Sequence, residues 1–98
     1  MSDNIPLLDI GQDLSNLRDE FMDGSIVCAN LNAEIEDMNL FGKDKINQEY
    51  INFNVNELTA FGEKMDYYIK ELQDLKTKIT DAVNQTKNYV DNFKNHLY

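Results

Sequence analysis

The stretch Ile69–Phe93, IKELQDLKTKITDAVNQTKNYVDNF, decides how this chain folds. Ile69, Leu72, Lys76, Ile79, Val83, Thr86, Val90 and Phe93 follow one another in alternating steps of three and four residues. That 3.5-residue period keeps a seam on one face of a helix that lies along another helix. The rhythm extends back through Ile51, Val55, Leu58, Gly62 and Met65 and forward to Leu97. A second stripe with the same period occupies the other half of the chain, through Leu7, Ile10, Leu14, Leu17, Phe21, Gly24, Cys28, Leu31, Ile35 and Met38.

Between the two stripes lies Asn39-Leu40-Phe41-Gly42-Lys43-Asp44-Lys45, the segment richest in turn signals. Gly42 can take a left-handed conformation that ends a helix, and Asp44 or Asn47 can cap the next, with Glu49 in its first turn. The expected architecture is therefore all-α. An antiparallel, coiled-coil-like two-helix hairpin forms one domain over residues 1–98, with helices over about 6–39 and 48–96 and a turn over about 40–47. Pairing the stripes about Lys43 sets Leu7 against Ile79, Leu14 against Leu72, Leu17 against Ile69, Phe21 against Met65, Cys28 against Leu58 and Ile35 against Ile51. Gly24 then faces Gly62, which marks a close approach of the helices or a kink at each. Asp23-Gly24-Ser25 could break the first helix, but the unchanged heptad phase on both sides favours continuity. At the start, Asp3 or Asn4 can cap the first helix and Pro6 is tolerated in its first turn, with Asp9 near the positive end of the helix dipole.

A third apolar column, Phe61, Tyr68, Leu75, Ala82 and Tyr89, runs one residue before the column of Gly62, Ile69, Lys76, Val83 and Val90. Three apolar positions in seven exceed what two strands of a hairpin can cover. A helical bundle completed by a partner or a second copy is implied. In the pairing about Lys43, Val83 needs residue 3 as its mate and Thr86, Val90, Phe93 and Leu97 have none. The end of the second helix, about 25 Å long at about 1.5 Å per residue, thus carries Ala82, Val83, Tyr89, Val90, Phe93 and Leu97 uncovered. With Phe61, Tyr68 and Leu75 these residues form the expected partner-binding surface.

Composition excludes several functions. At 98 residues, two long helices enclose little interior. The net charge of −9 is lopsided: residues 1–40 hold nine acids and one Arg, giving −8, and residues 41–98 hold nine acids and eight Lys, giving −1. Phosphate binding needs clustered Lys and Arg, so nucleic acid and anionic lipid are poor ligands. An acidic rod suits a basic partner helix, and also an acidic phage-type inhibitor or DNA mimic. A structural coiled-coil assembly protein would use the same stripes without either role. The lone Cys28 falls on the apolar seam, as a small core residue, and cannot form an internal disulfide. Lone His96 lies in the last helical turn, and no motif for a metal, a cofactor, a phosphate or a nucleophile occurs, so the chain is not expected to be an enzyme. No apolar run approaches the length of a membrane span, and acidic Asp3 stands where a secretory leader would be basic. Synthesis in the cytoplasm without membrane insertion is the expectation, and Asn84-Gln85-Thr86 is then a chance glycosylation triplet.

A chain of about 100 residues folded as two antiparallel helices, with Leu40-Phe41-Gly42 at its central turn, resembles the WXG family of small type VII secretion proteins and the helical partner proteins of LXG toxins. Leu40 stands where that family has Trp. The family's Tyr-x-x-x-Asp/Glu secretion signal has a counterpart in Tyr67 to Glu71, here inside the second helix rather than in a tail. The resemblance implies pairing with another helical protein, such as a toxin's N-terminal domain, in support of its export, with secretion of the chain itself without a cleaved signal peptide as a further implication. Leu40-Phe41-Gly42 also reads as an apolar plug followed by a helix-ending glycine.

Overall fold

The computed structural model describes residues 5–97, and for Leu97 the backbone alone. Among these residues the elements are α1 (Leu7–Phe41), a 3-10 turn (Lys43–Lys45), α2 (Gln48–Glu63) and α3 (Met65–Leu97), with no strand. The fold is all-α, as the heptad stripes require. The second helix is a pair rather than the single element expected over 48–96: the ladder breaks at Lys64, whose N–H is shared between the carbonyls of Ala60 at 3.2 Å and Phe61 at 3.1 Å. Gly62, two residues earlier, weakens the helix there by about 1 kcal/mol relative to alanine. A Cβ at Gly62 would meet nothing within 4 Å, so it marks no close approach.

Helix α1 runs without interruption through Asp23-Gly24-Ser25. Its first turn is closed by the Ile10 N–H donating to the Pro6 carbonyl at 3.1 Å. The proposed caps Asp3 and Asn4, and residue 3 as a mate for Val83, lie outside the described residues. At the far end the Gly42 N–H donates to the Met38 carbonyl at 2.9 Å. Gly42 then takes φ 78° and ψ −166°. The positive φ is as expected, but this is the mirror-extended region, not the left-handed helical one. Asn47 caps α2, its side chain accepting from the Tyr50 N–H at 3.1 Å, and Glu49 lies in the first turn.

The chain divides into two compact units. In residues 17–66, the second part of α1 pairs with α2 as an antiparallel hairpin, since Phe21 meets Phe61 while Asn30 meets Asn54. The inward positions on α1 are Leu17, Glu20, Gly24, Val27, Asn30, Leu31, Glu34 and Met38, and on α2 they are Ile51, Asn54, Leu58 and Phe61. The period is the expected one, but the face is rotated. Leu17, Gly24, Leu31 and Met38 turn in, whereas Phe21, Ile35 and Val55 are exposed. Cys28, expected in the core, is also exposed.

Two local fits account for the rotation. A Cβ at Gly24 would come within 2.8 Å of the Phe61 ring, so the missing side chain makes the space the ring occupies. The Phe61 ring also meets Phe21 edge-on, with centroids 6.2 Å apart and planes at 68°, an arrangement aromatic pairs prefer. The expected opposition of Gly24 with Gly62 and of Phe21 with Met65 is thereby replaced by contact of both with Phe61, a residue before the one and a helical turn before the other. Seven residues before Phe61, Asn54 is buried at 1% exposure. Its Oδ1 accepts from Asn30 Nδ2 at 3.4 Å and its Nδ2 donates to the Tyr50 carbonyl at 2.9 Å. A buried amide left without partners costs about 1–3 kcal/mol, so registers that separate Asn30 from Asn54 are disfavoured.

In the other unit, the start of α1 pairs with α3. Ile10, Tyr68, Leu75 and Ala82 are its buried apolar residues. Lys78 Nζ and Asp13 Oδ2 form an ion pair at 3.4 Å between largely exposed side chains, a contact that contributes about 0–1 kcal/mol.

Candidate interaction surface

Phe61, Tyr68, Leu75 and Ala82 recur every seven residues in the sequence, and Tyr68, Leu75 and Ala82 share one edge of α3. Tyr68 is 3% exposed and Ala82 1%, and Phe61 is half-buried over Gly24. This corrects the expected partner-binding set: three of its members, Tyr68, Leu75 and Ala82, are the internal core, and Phe61 supports the hairpin. The column that reads as surplus is the one the helices use against each other.

The remaining columns face outward. On α3, Ile69, Leu72, Ile79, Val83, Val90 and Phe93 are all exposed large apolar residues. They sit at the a and d positions of an unbroken heptad seam, with Lys76 and Thr86 as its polar members. From Ile69 to Phe93 the seam is about 36 Å long at about 1.5 Å per residue. The Thr86 hydroxyl is satisfied locally, donating to the Ala82 carbonyl at 2.7 Å. Of the expected docking residues, Val83, Tyr89, Val90 and Phe93 are therefore outward, and Leu97 lies outside the described side chains. In the same unit Leu7 and Leu14, a heptad apart on α1, are also exposed.

Exposed apolar surface of this extent is uncommon on a protein without a partner and marks interaction sites. A seam of a and d residues fits another helix better than a small ligand, because its knobs require holes on a facing helix. Exposure of Val83 at 43% and Phe93 at 57% leaves area for such packing to remove from water.

The turn of the other unit carries a second apolar cluster. Leu40, Phe41, Ile46, Tyr50 and Phe53 are exposed. Leu40 and Phe41, which read as an apolar plug at the turn, end α1 with 74% and 61% of their surface open. Tyr67 and Glu71 lie in the first turns of α3; the Tyr67 ring is more than half exposed and stands edge-on to Tyr68 at 5.8 Å.

A shallow cavity of about 310 Å³ is lined by Ile5, Gln85, Asn88, Tyr89 and Asn92. Its polar groups are three side-chain amides and the phenol of Tyr89, with no charged side chain among the lining residues. Among the described residues, no three or more His, Cys, Asp or Glu side chains converge to hold a metal ion, and no helix is long and apolar enough to cross a membrane. The fold and its exposed seam define an all-α protein of paired helices. Comparison with protein-family models, with curated proteins and with solved structures finds no match for the chain.

Proposed function

We propose that this chain is a non-enzymatic docking protein that binds another helical protein along α3, in the manner of the small partner proteins of type VII secretion, and supports that protein's export. The observation that carries the reading is the outward seam of Ile69, Leu72, Ile79, Val83, Val90 and Phe93 on one face of one helix. The resemblance at Leu40-Phe41-Gly42, which occupies the only positive-φ turn among the described residues, supplies the secretion context. A DNA-mimicking inhibitor would present carboxylates as its recognition surface. The acids on α1 suit that role, but it leaves the α3 seam without a purpose, and helix docking accounts for it.

The test is co-expression with the helical N-terminal region of a toxin-like protein encoded beside this chain. A complex that co-elutes with the chain, and is lost in Val83→Asp/Val90→Asp while Glu36→Ala retains it, is the expected result. Undiminished co-elution of the double variant would overturn docking along α3.

A further inference from the structure

The α3 seam is self-complementary when read in the opposite direction. We infer that, in the absence of another partner, α3 pairs with α3 of a second copy of this chain, antiparallel and centred near Asp81. In that register Ile79 meets Val83 of the other copy, Leu72 meets Val90, Ile69 meets Phe93, and the two polar seam members, Lys76 and Thr86, meet each other. Every apolar residue has an apolar mate and the polar residues are confined to two symmetry-related Lys76–Thr86 layers, as helix pairs select register and direction.

The alternatives are worse for stated reasons. Sliding one copy by a heptad sets Lys76 against Ile79 or against Phe93, and Thr86 against Ile69 or Val83, placing polar groups over apolar ones. Parallel pairing in register stacks Lys76 on Lys76, a like-charge contact in the middle of the seam. In the antiparallel register Asp66 at one end of α3 lies beside Lys94 of the other copy, an opposite-charge pair, and Lys87 lies beside neutral Gln73 rather than another cation.

Charge on whole helices points the same way. Helix α3 carries five acids and five lysines and is neutral, with His96 uncharged, whereas α1 carries eight acids against Arg18 and stands at −7. Two α1 helices repel; two α3 helices do not. The second copy therefore approaches along α3. The contact draws on outward residues and leaves the core residues Tyr68, Leu75 and Ala82 in place. It is independent of the docking function, because a monomeric chain could still present α3 to a different helix.

The test starts with the unaltered chain, whose solution mass should rise from 11.4 kDa toward twice that value between micromolar and millimolar concentration. The register is read in a Cys28→Ser background by mixing two single-cysteine proteins under mild oxidation. Leu72→Cys with Val90→Cys should cross-link as a mixed pair in high yield; Leu72→Cys with Val83→Cys should not, and Leu72→Cys alone should not. Val83→Asp should return the mass to a single chain with helix content unchanged. A single-chain mass for the unaltered protein throughout that range overturns the inference, as does preferential cross-linking of Leu72→Cys to itself or to Val83→Cys.

Discussion

At the scale of single residues, the three helical glycines are not equivalent. Gly11 and Gly62 have open space where a Cβ would stand, so Gly11→Ala and Gly62→Ala should each stabilise the chain by about 0.5–1 kcal/mol through helix propensity and a more restricted unfolded state. At Gly24 the same change drives a methyl into the Phe61 ring. Overpacking of that kind costs about 1–3 kcal/mol, which outweighs the propensity gain. Gly24→Ala should lower the urea midpoint, and Phe61→Leu should restore part of the loss in the double variant. A Gly24→Ala midpoint equal to or above the parent's would show that the ring shifts freely and does not hold the phase of the hairpin. Asn54 acts differently, through specificity. Replacing it with Leu adds apolar burial but removes the amide pair with Asn30, and polar positions in helix seams restrict register at some cost in stability. Asn54→Leu should keep stability within about 1 kcal/mol of the parent while its amide spectrum gains a second set of peaks from a shifted pairing. A single set of peaks would remove the register role.

At the scale of elements, α3 offers an internal comparison. Leu72 and Leu75 are three residues apart on one helix, yet Leu72 is 44% exposed and Leu75 4%. Leu75→Ala should therefore cost about 2–5 kcal/mol, whereas Leu72→Ala should cost under about 1 kcal/mol, read by denaturant unfolding at a concentration where the chain is monomeric. Equal losses would place both on the core side. The turn gives a second contrast. Because Gly42 combines φ 78° with ψ −166°, asparagine gains no advantage from its tolerance of the left-handed helical region. Gly42→Asn and Gly42→Val should both destabilise the turn by about 1–3 kcal/mol, and a neutral Gly42→Asn would mean that the turn relaxes into the helical well.

These contrasts also show what was legible in the chain beforehand. The period, the number of turns between stripes and the site of the fold-back follow from local spacing, because each helix repeats its own apolar positions. The phase does not. The columns through Leu14 and through Leu17 are similarly apolar, and the choice between them rests on how one residue fits another across the pair: a vacant Cβ at Gly24 under Phe61, and an amide at Asn30 against one at Asn54. Periodicity along one helix carries no information about such cross-helix matches. One signal was nonetheless present, since Asn54 stands a heptad before Phe61 on an otherwise apolar column. The same rotation explains why Tyr68, Leu75 and Ala82 read as surplus surface and are core.

At the scale of the whole molecule, apolar surface is distributed over both units: Phe21, Met22, Ile26, Ile35 and Phe53 are exposed in one, and the α3 seam in the other. Cys28 shares the heptad column of Phe21 and Ile35 and serves as a native reporter of that column. In the isolated chain it should react with a thiol reagent at the rate of an unhindered cysteine. Slow reaction in native buffer, reversed by denaturant, would show that the column is covered. The net charge of −9 counteracts association through the exposed apolar surface. Salt that screens this charge should raise the sedimentation coefficient before it changes helix content, and an unchanged coefficient in high salt would show that charge is not what limits association.

The division of α3 into an inward column and an outward one also bears on how such a chain can diverge. Tyr68, Leu75 and Ala82 hold the unit together, while Ile69, Leu72 and Val83, one to three residues away, contribute far less to its interior. Substitutions in the outward set leave most of the fold's free energy untouched, because surface changes away from the core shift stability little. Whatever meets α3 can therefore be exchanged for another surface by drift in half a dozen positions, with no compensating change inside. Stability and recognition are written in interleaved but separate letters of the same helix.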